Sequence, residues 1–304
     1  MIKYAYFLIF ALGILFQCSE KKEEKNAKPT IVCTTGMIAD AVKNIVGDSA
    51  EVMSLMGAGV DPHLYKATQG DLEKLSNANI IFYNGLHLEG KMGDILEKLS
   101  KRKAVVAFAE GIPKEQLRFA DSVSKTYDPH IWFDVKLWAL AVKNAGKMIS
   151  ELDPNRQEYY LKNTDSYLQK LESLHTEVQK NILQIPENQR VLITSHDAFG
   201  YFGRAYKIQV RGLQGISTVA DFGLNDITEL VKFINEKKVK AIFVETSVSQ
   251  KSIEAVLEGC QSKGQKVVIG GSLHSDAMGA TGTPEGTYIG MVQANTNLII
   301  KALQ

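Results

Sequence analysis

Long apolar runs, cysteine and excess charge of either sign are all scarce in this 304-residue chain. No apolar stretch reaches the roughly 20 residues that a membrane-crossing helix needs. The 35 lysines and arginines nearly balance the 34 aspartates and glutamates, which argues against nucleic acid as a partner. Of three cysteines, Cys33 and Cys260 fall in what read as different halves of the chain. Two buried free thiols are therefore expected there rather than a disulfide. No Gly-x-Gly-x-x-Gly follows a strand, and no Gly-x-x-x-x-Gly-Lys-Ser/Thr occurs, so nucleotide binding has little support. The His-Glu-x-x-His of zinc hydrolases is also missing.

What is present begins at the N-terminus. Residues 2–16 are apolar apart from Lys3 and stop at Gln17-Cys18. A basic start and a short apolar centre read as a secretory signal over residues 1–17. Cys18 directly after it suggests cleavage and lipidation at that cysteine. Leu15 suits such processing, whereas Gln17 stands where a small residue is usual, so an ordinary signal peptide or a retained anchor stays open. Residues 18–28 are strongly charged and read as a solvated tether. Removing residues 1–17 would take one lysine and no acid, leaving 34 charges of each sign.

Beyond the tether, runs rich in β-branched residues alternate with amphipathic patterns. Strands are expected at 30–35, 51–56, 79–84 and 103–109, then at 190–195, 208–212, 240–245 and 266–270. Helices are expected at 37–46, 68–78, 91–101, 198–206, 226–238 and 251–263. Such alternation predicts an α/β fold: two lobes, each a four-stranded mostly parallel sheet flanked by helices. The middle differs. Residues 134–152 read as one helix, Asp153-Pro154 breaks the pattern, and residues 155–183 follow as a second. In that second helix Tyr160, Leu161, Tyr167, Leu168, Leu171, Leu174 and Val178 keep helical spacing. Pro154 suits its first turn. The expected organisation is an N-terminal lobe at 29–153, a linker helix at 154–186 and a C-terminal lobe at 187–304. The linker reads as a rigid strut, a coiled-coil surface being the alternative.

Six histidines occur. Two of them share the frame Asp-Pro-His-x-aromatic: Asp61-Pro62-His63-Leu64-Tyr65 and Asp128-Pro129-His130-Ile131-Trp132. Proline fixes φ and biases the preceding aspartate toward extended backbone, which stiffens the chain before an imidazole. A histidine buried only for packing needs no such repeated frame, so the pair points to a metal site assembled from distant segments. In open α/β sheets ligands bind beyond the carboxyl ends of the strands. His196 follows the strand expected at 190–195, and Asp276 lies in a loop after the strand at 266–270. His63, His130, His196 and Asp276 can thus face one cleft. Three neutral imidazoles and a carboxylate suit Zn2+ well and Mn2+ acceptably. His87 and His175 lack a comparable frame, and His175, on the strut, is expected to be exposed. His274 could support Asp276 from behind. Glu245, at a strand end, could orient a ligand or pair with a cation.

With these phrases the chain resembles the TroA-like metal-specific solute-binding proteins of bacterial ABC importers, from about residue 29 to 303. The resemblance is carried by Gly36-Met37-Ile38-Ala39-Asp40, by 59–65 and 83–89, by Asp128-Pro129-His130-Ile131-Trp132-Phe133-Asp134, by 196–202 and 212–215, and by Ser275-Asp276-Ala277-Met278-Gly279. It implies two α/β lobes joined by one rigid helix, with the metal buried between them on His63, His130, His196 and Asp276. It also implies an ABC permease as partner, a monomer, and attachment to the outer side of the cytoplasmic membrane or the periplasm through lipidated Cys18. Members tuned to manganese often carry Glu where His196 stands. Many dedicated zinc members carry a His-rich loop where residues 111–128 hold none. Zinc and manganese therefore both stay open, with zinc favoured by the nitrogen of His196. A secreted zinc-dependent hydrolase is the competing function, and an adhesin role could accompany metal binding.

Overall fold

The computed structural model describes residues 28–120 and 125–304. Its first half is one parallel sheet in the order β2-β1-β3-β4, built from β1 (Thr30–Cys33), β2 (Glu51–Ser54), β3 (Ile80–Tyr83) and β4 (Ala104–Ala107). Parallel neighbours need crossovers, and α1 (Gly36–Val46), α2 (Gln69–Asn77) and α3 (Gly93–Ser100) supply them. The direction of winding reverses between β1 and β3, so the loops leaving these two strands diverge and open a crevice. α1 buries Met37, Ile38, Ala41, Val42, Ile45 and Val46. Burial on so much of its circumference places it between the sheet and the long helices behind it.

The second half repeats the pattern with β5 (Val191–His196), α6 (Gly200–Tyr206), β6 (Gln209–Gln214), α7 (Leu224–Lys237), β7 (Ala241–Glu245), α8 (Lys251–Ser262) and β8 (Val268–Leu273). Here the ladders are two parallel pairs, β5 with β6 and β7 with β8, rather than one continuous four-stranded sheet. β5 and β7 nevertheless lie side by side, giving the order β6-β5-β7-β8, which matches the first sheet. A register shift at Ile242/Phe243 marks the second pair. β5 runs one residue further than expected, so His196 belongs to the strand end and sits in register with Gln214.

Between the halves lie α4 (Val135–Leu152) and α5 (Gln157–Ile182). Asp134 starts α4 by accepting hydrogen bonds from the Lys136 and Leu137 amides. Pro154 opens a single 3-10 turn, and α5 then runs 26 residues, about 39 Å at helical rise. Its buried face is Tyr160, Thr164, Tyr167, Leu171, Leu174, His175, Val178 and Ile182. Leu161, expected in that stripe, is exposed. His175, expected to be exposed, is buried with Nδ1 3.3 Å from Tyr206 Oη. The α4–α5 approach is close enough that a Cβ at Gly146 would overlap the Thr164 side chain.

A helix missing from the sequence reading closes the fold: α9 (Tyr288–Leu303), capped by Thr287. It packs on β8 and on α5, and Trp138 of α4 stacks on Tyr288 at 5.2 Å. One apolar cluster consequently runs from Ile31 and Phe82 through Trp138 and Leu171 to Phe243 and Ile299. Cys33 and Cys260 are buried free thiols, as expected. Among the described residues no helix is long and apolar enough to cross a membrane. The signal segment, Cys18 and nearly all of the tether lie outside the described residues.

Candidate metal centre

Each Asp-Pro-His frame folds as a tight turn in which the aspartate accepts the amide hydrogen of its own histidine: Asp61 Oδ1 from His63 at 2.8 Å, Asp128 Oδ1 from His130 at 3.0 Å. The aromatic residue two places on is an anchor. Tyr65 Oη donates to Asp71 at 2.6 Å, and Trp132 Nε1 donates to the Ser275 carbonyl at 2.9 Å. Asp71 is also the N-terminal capping-box carboxylate of α2, so the His63 loop is fastened to that helix. His130 has a second tie, because Asn84 Nδ2, at the end of β3, donates to the Pro129 carbonyl at 3.0 Å. Glu89 in turn accepts from the Asn84 amide and the Thr34 hydroxyl, both at 2.6 Å.

From the second half, His196 projects off the end of β5 and Asp276 lies beyond β8. The four candidates come together. Their ligand atoms all lie within 4.8 Å of one another, and all four side chains are buried. His63 Nε2 is 3.3 Å from His130 Nε2. The Asp276 carboxylate is 3.4 Å from His130 Nε2, 3.3 Å from His196 Nε2 and 3.8 Å from His63 Nε2. Neither oxygen of Asp276, nor His196 Nε2, has a conventional hydrogen-bond partner, although all three are buried. Buried polar atoms left so are costly, and convergence of their lone pairs on one point is what a cation would satisfy.

Carboxylates behind the imidazoles aim the ligand nitrogens. Asp128 Oδ1 lies 2.7 Å from His130 Nδ1, and Glu245 Oε2 lies 2.5 Å from His196 Nδ1. Each fixes the tautomer with Nδ1 protonated and leaves Nε2 as the donor toward the centre. Glu245 therefore orients a candidate ligand; it also accepts the His196 amide at 2.9 Å. His274 does not contribute through its ring. Its backbone N–H and C=O are both held by the buried Asn295 side chain of α9, at 2.9 and 2.7 Å, which sets the turn carrying Asp276.

The electrostatics divide the histidines. Burial pushes His63 down to about 4. Burial also opposes charge on His130, but the hydrogen bond to Asp128 and the facing Asp276 carboxylate lift it to about 9. For His196 burial is outweighed by the Glu245 and Asp276 carboxylates, which hold it well above the usual histidine range. Asp276 is held well below the usual carboxylate range: burial would raise it, but the facing imidazoles of His196 and His130 prevail. Protons on His130 and His196 thus compete with a metal ion for the same ring nitrogens.

Sequence reasoning gave no role to Asn84, although it lies in the phrase 83–89, nor to Asn295; their partners Pro129 and His274 lie 45 and 21 residues away. Residues 31–302 match the family described as ZnuA, zinc-uptake complex component A periplasmic. The chain is 50% identical over 299 residues to the manganese-binding lipoprotein MntA of Bacillus subtilis, covering 98% of this chain and 97% of that one. It is 46% identical to the zinc-binding protein TroA of Treponema pallidum, covering 97% and 96%. It is 33% identical to the metal ABC transporter substrate-binding lipoprotein SloC of Streptococcus mutans, covering 100% and 99%. The solved structure of periplasmic zinc-binding TroA superposes with a TM-score of 0.89 at 48% identity, covering 91% of this chain and 99% of that one. A match that spans both sheets and every segment of the site has one reading: the chain belongs to the ZnuA family of metal-uptake binding components.

Proposed function

We propose that this chain is the extracytoplasmic solute-binding component of an ABC importer, capturing Zn2+ or Mn2+ on His63, His130, His196 and Asp276 and delivering it to a membrane permease. The observation that carries this is the buried convergence of three imidazole nitrogens on a carboxylate with no other hydrogen-bond partner. A closed shell of protein ligands suits transient capture, whereas a catalytic metal keeps a position open for water. The neighbouring carboxylates are already engaged: Asp61 and Asp128 by their own histidine amides, Glu245 by His196. None of these three is free to act as the general base that a hydrolase would need, which favours binding over catalysis. Names of relatives include both a manganese-binding and a zinc-binding protein, and lipoprotein is a recurrent term among them. The proposed organisation is a signal at 1–17, a Cys18-anchored tether to residue 28, lobes at 29–153 and 187–304 and a linker helix at 154–186, acting as a monomer on the outer face of the membrane.

Nitrogen from His196 and the general affinity order favour zinc. The test is equimolar zinc–manganese competition at neutral pH, followed by desalting and elemental analysis. Zinc is expected to predominate at one ion per chain, and His196→Glu should narrow its lead. Predominantly manganese-loaded protein would overturn the zinc preference. Protein retaining neither ion would overturn capture altogether. For the anchor, Cys18→Ser should abolish fatty-acid labelling; a labelled mutant would show that Cys18 is not the attachment point.

A further inference from the structure

The two frame aspartates do more than hold their histidines. Each uses Oδ1 for the histidine amide and Oδ2 for something else. Asp61 Oδ2 accepts from Thr218 Oγ1 at 2.6 Å, across 157 residues of sequence. Asp128 Oδ2 accepts from Arg118 Nη1 at 2.7 Å, and Arg118 Nη2 lies 3.5 Å from Asp197 Oδ2. Thr218 and Asp197 both belong to the second half, and both are tied to the end of the strand that carries His196. Asp197 is the next residue. Thr218 sits in a loop held by Gln214, whose Nε2 donates to the Thr218 carbonyl at 2.9 Å, and Gln214 is the register partner of His196. From each histidine of the first half, then, a continuous path of short contacts runs through an aspartate to the histidine of the second.

The Arg118 bridge is a built contact. Tyr201 Oη of α6 accepts from the Arg118 amide at 2.9 Å and donates to the Asp128 carbonyl at 3.1 Å. A Cβ at Gly200 would overlap the guanidinium, so the absence of a side chain there makes room for the bridge. Both ties lie toward solvent: the Arg118 side chain is 31% exposed and that of Asp197 26%, and Thr218 is half-buried. Deeper in, the halves are joined differently. Trp132 Nε1 donates to Ser275 and Phe133 stacks on Phe199 at 4.1 Å, all buried. The inner seam is buried and closely packed, whereas the outer contacts are one hydrogen bond and one ion pair that water can replace.

We propose that Thr218 and Arg118 are positioning residues that latch the cleft, making separation of the halves and misorientation of His63 and His130 one event. This rests on the capture reading above. When the outer contacts break, Asp61 loses Thr218 outright, while Asp128 keeps an Arg118 that has lost its anchor on Asp197, and the amide bonds orienting the two histidines loosen with them. The latch thereby sets how long the metal stays. It contributes little to metal entry, because the open state already has the contacts broken.

Full-length Thr218→Val and Arg118→Gln test this, with Thr218→Ser as the conservative control and Lys136→Gln, which removes an exposed ion pair to Glu172, as the surface control. Zinc dissociation is followed by stopped flow against excess chelator, association by zinc mixing, and melting is measured on metal-free protein. Loss of one such hydrogen bond should speed dissociation about tenfold, and the double variant about a hundredfold. Association rates, the one-ion stoichiometry and the metal-free melting temperature should stay near wild type. Thr218→Ser and Lys136→Gln should dissociate at the wild-type rate. Wild-type dissociation in both latch variants, or a slowed association in its place, overturns the latch while leaving capture standing. A metal-free melting temperature that falls in step with the faster dissociation also overturns it, by making the contacts merely structural. Wild-type protein that holds no zinc overturns the capture reading itself.

Discussion

At neutral pH the metal-free His63 is uncharged, since burial holds it down to about 4, whereas His130 is lifted to about 9 and His196 higher than usual by facing carboxylates. A metal ion must take its place against the last two protons. Below pH 9 the empty site binds more protons than the filled one, so affinity should keep rising as pH increases from 6 to 9 instead of levelling near the ordinary histidine value of about 6.5. Calorimetry at pH 7 in buffers of different ionisation enthalpy should report roughly two protons released per zinc. Affinity that is flat above pH 7 would contradict the protonated pair. Glu245→Gln removes the charge behind His196, and should weaken zinc about 10- to 100-fold while reducing the protons released. An unchanged dissociation constant would make Glu245 a bystander. His63 and His130 are legible in the sequence because their frame repeats, and His196 and Asp276 because strand ends of an α/β sheet collect ligands. Arg118 and Thr218 are not, since nothing in their neighbourhood anticipates their partners in the other half, Asp197 and Asp61. Chemistry displayed by one short phrase can be read locally, but chemistry split over 157 residues cannot.

The same division holds for the elements. β1, α1 and α4 are readable from apolar periodicity, because each buries an apolar face in one sheet or seam. α9 escapes because its buried face includes Asn295 and Thr296, and polar residues at core positions blunt the 3.6-residue pattern. Asn295 holds the His274 backbone, whereas Thr296 bonds the Val292 carbonyl of its own helix at 2.7 Å, so only the first interruption serves the site. β8 runs on to Leu273 through Gly270 and Gly271, residues that ordinarily argue against strand. Cβ atoms at these two positions would press on Phe243 and Leu298, so glycine lets the strand pass between β7 and α9. α2 offers a stability test. Thr68 and Asp71 form a reciprocal capping box, and Tyr65 joins it. Burial would raise Asp71, but the Thr68 and Tyr65 hydrogen bonds bring it down to about 2. A depressed carboxylate stabilises the fold fully above its ordinary value near 4, and that share is lost as pH falls through about 2. Thr68→Ala should cost about 1 kcal/mol at pH 7 by denaturant titration. The gap from wild type should shrink toward pH 2; a gap that does not change with pH would disconnect Asp71 from the cap.

Across the whole molecule, each half keeps a smaller apolar cluster of its own, and the largest cluster is shared between the two sheets. The cluster that starts at Ile31 ends at Leu303, and α5 packs on α1 and α4 of the first half and on α6 and α9 of the second. Such a seam resists wide hinging, because opening it would expose stacked pairs such as Trp138–Tyr288 and Phe133–Phe199. The proposed latch places motion at the outer rim, where water can replace Thr218–Asp61 and Arg118–Asp197. This differs from proteins whose lobes close like a clamp around a ligand, where a few flexible hinge residues absorb large backbone rotations. Here the connection is a 26-residue helix buried along one face, and no comparable hinge joins the halves among the described residues. Solution scattering should therefore show little change on loading. The radius of gyration, about 19 Å for a compact chain of this length, should differ by less than about 1 Å between zinc-loaded and chelator-treated protein, the scale of a shear rather than a hinge. Hydrogen exchange, by contrast, should slow on loading around residues 60–65 and 215–220 and remain unaltered along α5. A contraction of several ångströms, or protection spreading through α5, would show that the halves move as separate bodies and that the shared core does not restrain them.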